Sequence, residues 1–199
     1  AKRALFEQVH ALTDSPLEEG VFTLGFARRM TAYKRPDLLF SDVPRLRAIA
    51  AGRPLQIVLA GKAHPRDERG KRAIEAIHAH ARELSDAIRI AFLPNYDMAL
   101  AAAMVAGVDV WLNTPLPPSE ASGTSGMKAA LNGVPNLSVL DGWWSEGRIE
   151  GVTGWSIGET GADENHATSL YDKLEQIVLP LYYEDRPGWI AVMKGAIAK

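Results

Sequence analysis

The stretch "LQIVLAGKAHPRDERGKRAIEAIHAHARELSDAIRIAF" (residues 55–92) decides the fold, because its pattern predicts a strand, a helix and a second strand. Its two ends, "LQIVLAG" and "IRIAF", are nearly continuously apolar, which is typical of parallel strands buried on both faces. The segment between them, "RDERGKRAIEAIHAHAREL", is a helix candidate long enough to connect two parallel strands. The stretch therefore predicts a strand–helix–strand unit of an α/β protein.

The same alternation continues in both directions along the chain. Further strands are predicted at residues 21–26, 108–113, 136–140 and 154–158, and further helices at 35–50, 97–106, around Lys128, at 167–184 and at 187–198. Pro44 is expected to interrupt the first of these helices. Repeated alternation of this kind predicts a Rossmann-like, doubly wound, mainly parallel sheet with helices on both faces. We expect one domain over residues 1–199, with a leading helix and linker in 1–20 and closing helices in 159–199.

Composition limits the classes of function. The chain has 199 residues, a net charge of −2 and no cysteine. We therefore expect no nucleic-acid partner and no disulfide, and a reducing, cytoplasmic location. No apolar run approaches the roughly 20 residues of a membrane span, and no ligand spacing suggests a metal. The chain opens at Ala1 inside a helical pattern, so we expect a piece of a longer protein.

Polar residues follow each predicted strand, where open α/β sheets bind ligands. Four cations, Arg28, Arg29, Lys34 and Arg35, come directly after the first strand. Guanidinium and ammonium groups at such a position favour an anion, and we predict phosphate. The later strands are followed by Lys62 and His64, by Asn95, Tyr96 and Asp97, by Glu120, Ser122, Thr124 and Lys128, and by Asp141 and Glu146.

A second anion site is predicted in "PSEASGTSGMKAALNG" (residues 118–133). Small residues at 122–126 lead into a helix, whose N-terminus favours negative charge. Thr124 and Lys128 are four residues apart and share one helix face, and a lysine in such an apolar run costs solvation unless it is compensated. A cofactor with a phosphate and an aldehyde, such as pyridoxal 5′-phosphate, would satisfy both residues. The alternative is a lysine that extends along the helix to the surface.

Six blocks resemble the glycogen and α-glucan phosphorylases in their family order. They are "GFARRMTAYKR", "AGKAHP", "NYDMALA", "GVDVWLNTP", "EASGTSGMKAALNG" and "LSVLDGWWSEG". The chain is most similar to the shorter α-glucan phosphorylases, because the lysine motif of the muscle and plant type has GTGNMK instead. The resemblance implies a two-domain GT-B fold, of which this chain is the carboxyl-terminal, cofactor-binding half without the amino-terminal domain.

The resemblance also implies a role for individual residues. Lys128 would be the covalent anchor of pyridoxal 5′-phosphate. The residues expected to hold the cofactor are Lys128, Thr124, Ser125, Arg28 and Tyr96; those expected to bind substrate are Arg29, Lys34, Glu120, Ser122 and Gly123; the catalytic set is Arg29, Lys34, Thr124 and Lys128. Arg28 stands where many family members carry lysine. Asp97 stands where the muscle type has arginine, which puts that phosphate contact in doubt.

The implied activity is that of a hexosyltransferase. An α-1,4-glucan end and inorganic phosphate would give glucose 1-phosphate with retention of configuration, and the cofactor phosphate would act in proton transfer. We expect the isolated chain to bind the cofactor weakly or not at all and to lack activity, and we leave homo-oligomer formation open. Two alternatives stand beside this prediction: a nucleotide-sugar-dependent GT-B enzyme such as a glycogen synthase, and a non-catalytic sugar- or phosphate-binding module.

Overall fold

The centre of the protein is one sheet of six parallel strands. In the computed structural model, which describes residues 1–158 and 165–199, the strands are β1 (Phe22–Arg29), β2 (Leu55–Lys62), β3 (Arg89–Leu93), β4 (Val110–Asn113), β5 (Asn136–Val139) and β6 (Gly154–Ile157). They lie in the order β3-β2-β1-β4-β5-β6, and every neighbouring pair is parallel. The predicted strands and the doubly wound topology are confirmed.

Helices connect the strands and close the chain. They are α1 (Lys2–Thr13), α2 (Val43–Gly52), α3 (Glu68–Glu83), α4 (Met98–Gly107), α5 (Thr124–Leu131), α6 (Trp144–Gly147), α7 (His166–Lys173), α8 (Leu179–Glu184) and α9 (Arg186–Ala198). A π-helical turn, Leu174–Val178, joins α7 to α8. The first six residues of the predicted closing region, 159–164, lie outside the described part of the chain. No helix within the described ranges has the length and apolar character needed to cross a membrane.

The helix predicted at 35–50 is interrupted at Pro44, as expected, and its α-helical part is α2 alone. The helix begins at Val43, and Pro44 occupies its first turn, where a missing N–H leaves no hydrogen bond unmade. Asp42 caps this end by accepting a hydrogen bond from the Arg45 amide at 3.0 Å. The preceding Leu38–Phe40 is a separate 3₁₀ turn, because a proline cannot follow a continuous helical backbone without a clash.

Apolar side chains cover both faces of the sheet. Along β2, Ile57 and Leu59 belong to one buried cluster, while Val58 and Ala60 belong to the other. The first cluster includes residues of α2, α3 and α7–α9, and the second includes residues of α1, α4 and α5. Each fully buried Leu or Ile stabilises the fold by about 1.5–3 kcal/mol. The two clusters confirm the prediction that helices lie on both faces.

The strand order reverses between β1 and β4. The chain builds outward from β1 to β2 and β3, then crosses to the other side of β1 and adds β4, β5 and β6. Leu24 pairs with Val110 and Gly25 with Trp111 along this junction. Connections leave the two central strands in opposite directions here, which opens a crevice outside their carboxyl ends. The cations that the sequence places at and after the end of β1 belong to this edge of the sheet.

Candidate functional site

A cavity of about 270 Å³ lies at the carboxyl ends of β1 and β4. It is lined by Ala27, Arg28, Arg29, Lys34, Glu120, Gly123, Thr124 and Ser125. Seven of these eight residues were predicted from the sequence as site residues. The fold therefore brings together the basic segment after β1 and the segment that leads into α5.

Glu120 is the centre of the charge arrangement in this cavity. Its Oε2 accepts a hydrogen bond from Arg28 Nη1 at 2.6 Å and a second one from Lys34 Nζ. The side chains of Arg28, Glu120 and Lys34 are only 6%, 9% and 10% exposed. Burial alone would raise the pKa of Glu120, but the hydrogen bond from Lys34 and the charges of Arg28 and Lys34 outweigh it and hold the pKa below its usual value.

The backbone around Lys34 is held by the loop after β4. Thr114 Oγ1 donates to the carbonyl oxygens of Lys34 and Arg35, each at 2.9 Å. In return, the Arg35 guanidinium donates to the carbonyl oxygens of Thr114 and Pro115 at 3.0 and 2.7 Å. Burial lowers the pKa of Arg35. Arg35 was predicted as one of four clustered cations, but it joins the two loops and does not line the cavity.

The beginning of α5 rests on a row of buried polar side chains. Asn136 Nδ2 donates to the Gly126 carbonyl at 3.0 Å, and Asn113 Nδ2 donates to Asn136 Oδ1 at 3.3 Å. Trp111 Nε1 donates to Ser125 Oγ at 3.3 Å. The sequence reasoning missed these three supporting residues. Their signal was available, since Asn113 and Asn136 are polar residues at the ends of otherwise apolar strands.

Gly123 begins α5 in the left-handed region, with φ 81°. For residues with a Cβ, this conformation costs roughly 1–2 kcal/mol of free energy. A Cβ at Gly123 would lie 3.3 Å from Arg28 Nη2 and 3.4 Å from Glu120 Cγ. The neighbouring Ser122 is half-buried, and its carbonyl accepts a hydrogen bond from the Trp143 amide at 2.8 Å. The turn into α5 is thus packed directly against the charged side chains.

Lys128 is exposed on α5 and lies outside the lining of the cavity. Lys128 therefore loses little solvation, because the apolar neighbours Ala129 and Ala130 face the core while Lys128 faces solvent. It follows Thr124 by four residues on the same eight-residue helix. The two residues are therefore one helical turn apart along α5.

Tyr96 and Asp97 follow β3 and differ in their surroundings. Tyr96 is half-buried against the cluster that contains α4. Burial raises the pKa of Tyr96, and the charge of Arg28 acts in the opposite direction. Asp97 caps α4, because its Oδ1 accepts a hydrogen bond from the Leu100 amide at 2.9 Å. Its carboxylate therefore has a structural partner of its own.

The cavity fits a phosphate group. Arg28, Arg29 and Lys34 supply positive charge. The first amides of a helix have no acceptor within it, although that of Gly126 donates to the Gly123 carbonyl at 3.1 Å. The hydroxyl groups of Thr124 and Ser125 line the same space. These donors match the phosphate of pyridoxal 5′-phosphate, and Lys128 is one helical turn away. Within residues 1–158 and 165–199, no group of three or more His, Cys, Asp or Glu side chains could hold a metal ion.

A solved structure has a similar fold. The crystal structure of Anabaena HepE in complex with UDP and glucose superposes with a TM-score of 0.67 and 17% sequence identity. The match covers 100% of this chain and 47% of that one. The chain thus has the fold of one half of a GT-B glycosyltransferase.

Sequence comparison identifies relatives of much greater length. A glycogen phosphorylase of Aquifex aeolicus is 55% identical over 192 residues, which are 91% of this chain and 28% of the relative. A maltodextrin phosphorylase of Thermococcus litoralis is 50% identical over 190 residues, 91% of this chain and 23% of the relative. A glycogen phosphorylase of Mycobacterium tuberculosis is 48% identical over 191 residues, which are 89% of this chain and 22% of the relative.

The chain matches only a part of each of these relatives. The chain spans 22–28% of the length of the three phosphorylases. The family described as carbohydrate phosphorylase matches residues 2–152, which include all strands from β1 to β5, the cavity and α5. The chain therefore belongs to the carbohydrate phosphorylase family.

Proposed function

We propose that this chain is the cofactor-binding part of an α-glucan phosphorylase. The enzyme would transfer a glucosyl unit from the end of an α-1,4-glucan to inorganic phosphate, with glucose 1-phosphate as product. The observation that carries the proposal is the cationic cavity at the β1–β4 junction, with Lys128 one turn along the helix that borders it. Family membership supports the same activity.

In this proposal the chain holds two phosphate groups side by side. Arg28, Thr124 and Ser125 bind the phosphate of pyridoxal 5′-phosphate, and Lys128 attaches the cofactor while Tyr96 lies near it. Arg29 and Lys34 bind the substrate phosphate. When bound, the cofactor supplies a phosphate that exchanges a proton with the substrate phosphate. The cations and the amides of α5 offset the repulsion between the two anions.

The sugar site is only partly present in this chain. Glu120, Ser122 and Gly123 are proposed to contact the hydroxyl groups of the glucosyl unit. The remaining contacts are proposed to come from parts of the enzyme outside this chain, since its relatives are about four times as long. We therefore predict that the chain alone releases no glucose 1-phosphate from maltooligosaccharides. A cytoplasmic location and self-association stay predictions.

Selective labelling of Lys128 tests the cofactor assignment. The chain is incubated with excess pyridoxal 5′-phosphate, reduced with borohydride and mapped by peptide mass spectrometry. Lys128 is expected to be labelled ahead of the other lysines, and Lys128→Ala removes this label whereas Lys194→Ala, at an exposed position on α9, does not. Pyridoxal without phosphate should lose the preference, because the cavity recognises the phosphate.

Two results of this labelling experiment would count against the assignments. Uniform labelling of exposed lysines would contradict cofactor binding by this chain. Binding of a nucleotide sugar together with no preference for Lys128 would contradict the phosphorylase proposal and favour a nucleotide-sugar-dependent enzyme.

A further inference from the structure

The cavity contains an anion of its own. Glu120 directs one carboxylate oxygen, Oε2, at both Arg28 Nη1 and Lys34 Nζ. These two cations are the ones that the proposed function assigns to two different phosphate groups. Both cations are therefore paired with a carboxylate of this chain.

The carboxylate is held in this place by its own backbone. The Glu120 amide donates to Asp141 Oδ2 at 2.8 Å, which connects the loop after β4 to the loop after β5. The side chain then extends into the cavity next to Gly123, where a Cβ would lie 3.4 Å from Glu120 Cγ. A phosphate at the N-terminus of α5 would therefore meet Arg28, and a substrate phosphate would meet Lys34. Glu120 contacts both of these cations.

We propose that Glu120 is a built-in competitor of phosphate, which holds Arg28 and Lys34 until a phosphate group at either cation replaces its contact and loosens the carboxylate. A phosphate carries close to two negative charges near neutral pH and three acceptor oxygens, so it can replace the single carboxylate contact of each cation. The cations stay paired throughout, which avoids the large cost of a buried charge without a partner.

Release of Glu120 has a consequence that rests on the proposed function. The freed carboxylate would be the one that contacts the hydroxyl groups of the glucosyl unit. Phosphate binding would then strengthen sugar binding, and by linkage sugar binding would strengthen phosphate binding to the same degree.

Titration with inorganic phosphate alone tests the competition. Calorimetry compares the unmodified chain with Glu120→Gln and with the control Glu146→Gln, whose side chain is exposed on α6. Because Glu120→Gln removes the competing charge and keeps the shape, we expect it to bind inorganic phosphate about tenfold more tightly. Glu146→Gln should bind like the unmodified chain. Equal or weaker binding by Glu120→Gln, or no binding by either protein, overturns the proposal.

A second measurement needs no variant and covers the case in which Glu120→Gln does not fold. In the unmodified chain with ¹³C-labelled glutamate, the Glu120 carboxyl resonance should move saturably on addition of inorganic phosphate, and chloride at equal ionic strength should leave it in place. A resonance that ignores phosphate overturns the competition. Both measurements use no pyridoxal, so their failure is distinguishable from a failure of the labelling experiment at Lys128.

Discussion

Nη1 of Arg28 lies 2.6 Å from Oε2 of Glu120, although 92 positions separate the two residues in the chain. Arg28 belongs to the end of β1, and Glu120 to the loop that follows β4. They meet because β1 and β4 are parallel neighbours in the centre of the sheet. The charge arrangement of the cavity is thus a product of strand order.

The pairing of Glu120 makes stability depend on pH in a defined direction. Burial alone would raise its pKa, but the hydrogen bond from Lys34 and the charges of Arg28 and Lys34 hold the pKa of the folded state below the usual value. The ionised Glu120 therefore contributes fully to the free energy of unfolding above its unfolded-state pKa of about 4.3. This contribution is lost as pH falls through the lower folded-state pKa. Urea unfolding should show the chain more stable than Glu120→Gln at pH 7, with the difference shrinking below about pH 4. A difference independent of pH would contradict the ion pairing.

Gly126 is predicted to tolerate no side chain. A Cβ there would lie 2.6 Å from Asn136 Oδ1 and 2.8 Å from Trp143 Nε1, in the buried row that supports α5. Gly126→Ala should therefore lower the free energy of unfolding by about 1–3 kcal/mol, as other overpacked sites do. It should also reduce the selective labelling of Lys128. Gly52→Ala is the matched control, since nothing lies within 4 Å of its Cβ position; an equal loss in both variants would rule out the steric explanation.

Thr114 is predicted to hold Lys34 through the backbone. Thr114→Val keeps the shape of this buried side chain but removes the hydroxyl that donates to the carbonyls of Lys34 and Arg35. We expect a loss of about 1–3 kcal/mol in chemical denaturation, because the Lys34 carbonyl loses this donor, whereas the Arg35 carbonyl still accepts from the Leu38 amide at 3.1 Å. Thr168→Val, at an exposed position on α7, should change the free energy of unfolding by less than about 0.5 kcal/mol. If the two variants were equally stable, the hydroxyl contacts would have no role.

Asp97 is predicted to act as a helix cap and not as a phosphate contact. Asp97→Ala should lower the free energy of unfolding by about 1 kcal/mol, because the Leu100 amide loses its acceptor. Asp97→Asn, which retains a capping oxygen, should keep most of that stability. Both variants should leave the preference for labelling of Lys128 unchanged. A large effect of Asp97→Asn on labelling, with stability preserved, would instead place Asp97 in the cofactor site.

The strands were predictable because their signal is local. The apolar run at residues 88–92 became β3 (Arg89–Leu93), and the run at 55–61 became β2 (Leu55–Lys62), shifts of one residue at most. Continuous apolar runs imply burial on both faces, and burial on both faces implies a parallel sheet covered by helices. Pro44 shows the limit of the same reasoning, since a proline stops a helix or begins one according to its context.

Several features of the site could not be predicted from the sequence. Nothing in the spacing of Arg28, Lys34 and Glu120 indicates that one carboxylate oxygen contacts both cations. The exposure of Lys128 depends on which face of α5 packs against the sheet, and the Asn113–Asn136 contact depends on the pairing of β4 with β5. Each is set by packing between segments that are distant in the chain.

The sequence by itself determined the α/β class, the parallel strands, the cations after β1 and the family resemblance, because apolar periodicity and short motifs are encoded within single segments. Only the tertiary structure decided that Arg28 and Lys34 share the carboxylate of Glu120, that Arg35 joins two loops and that Lys128 faces solvent. The physical reason is that ion pairs and exposure depend on which segments become neighbours. That choice follows from the strand order of the whole sheet, in which β1 lies beside β4.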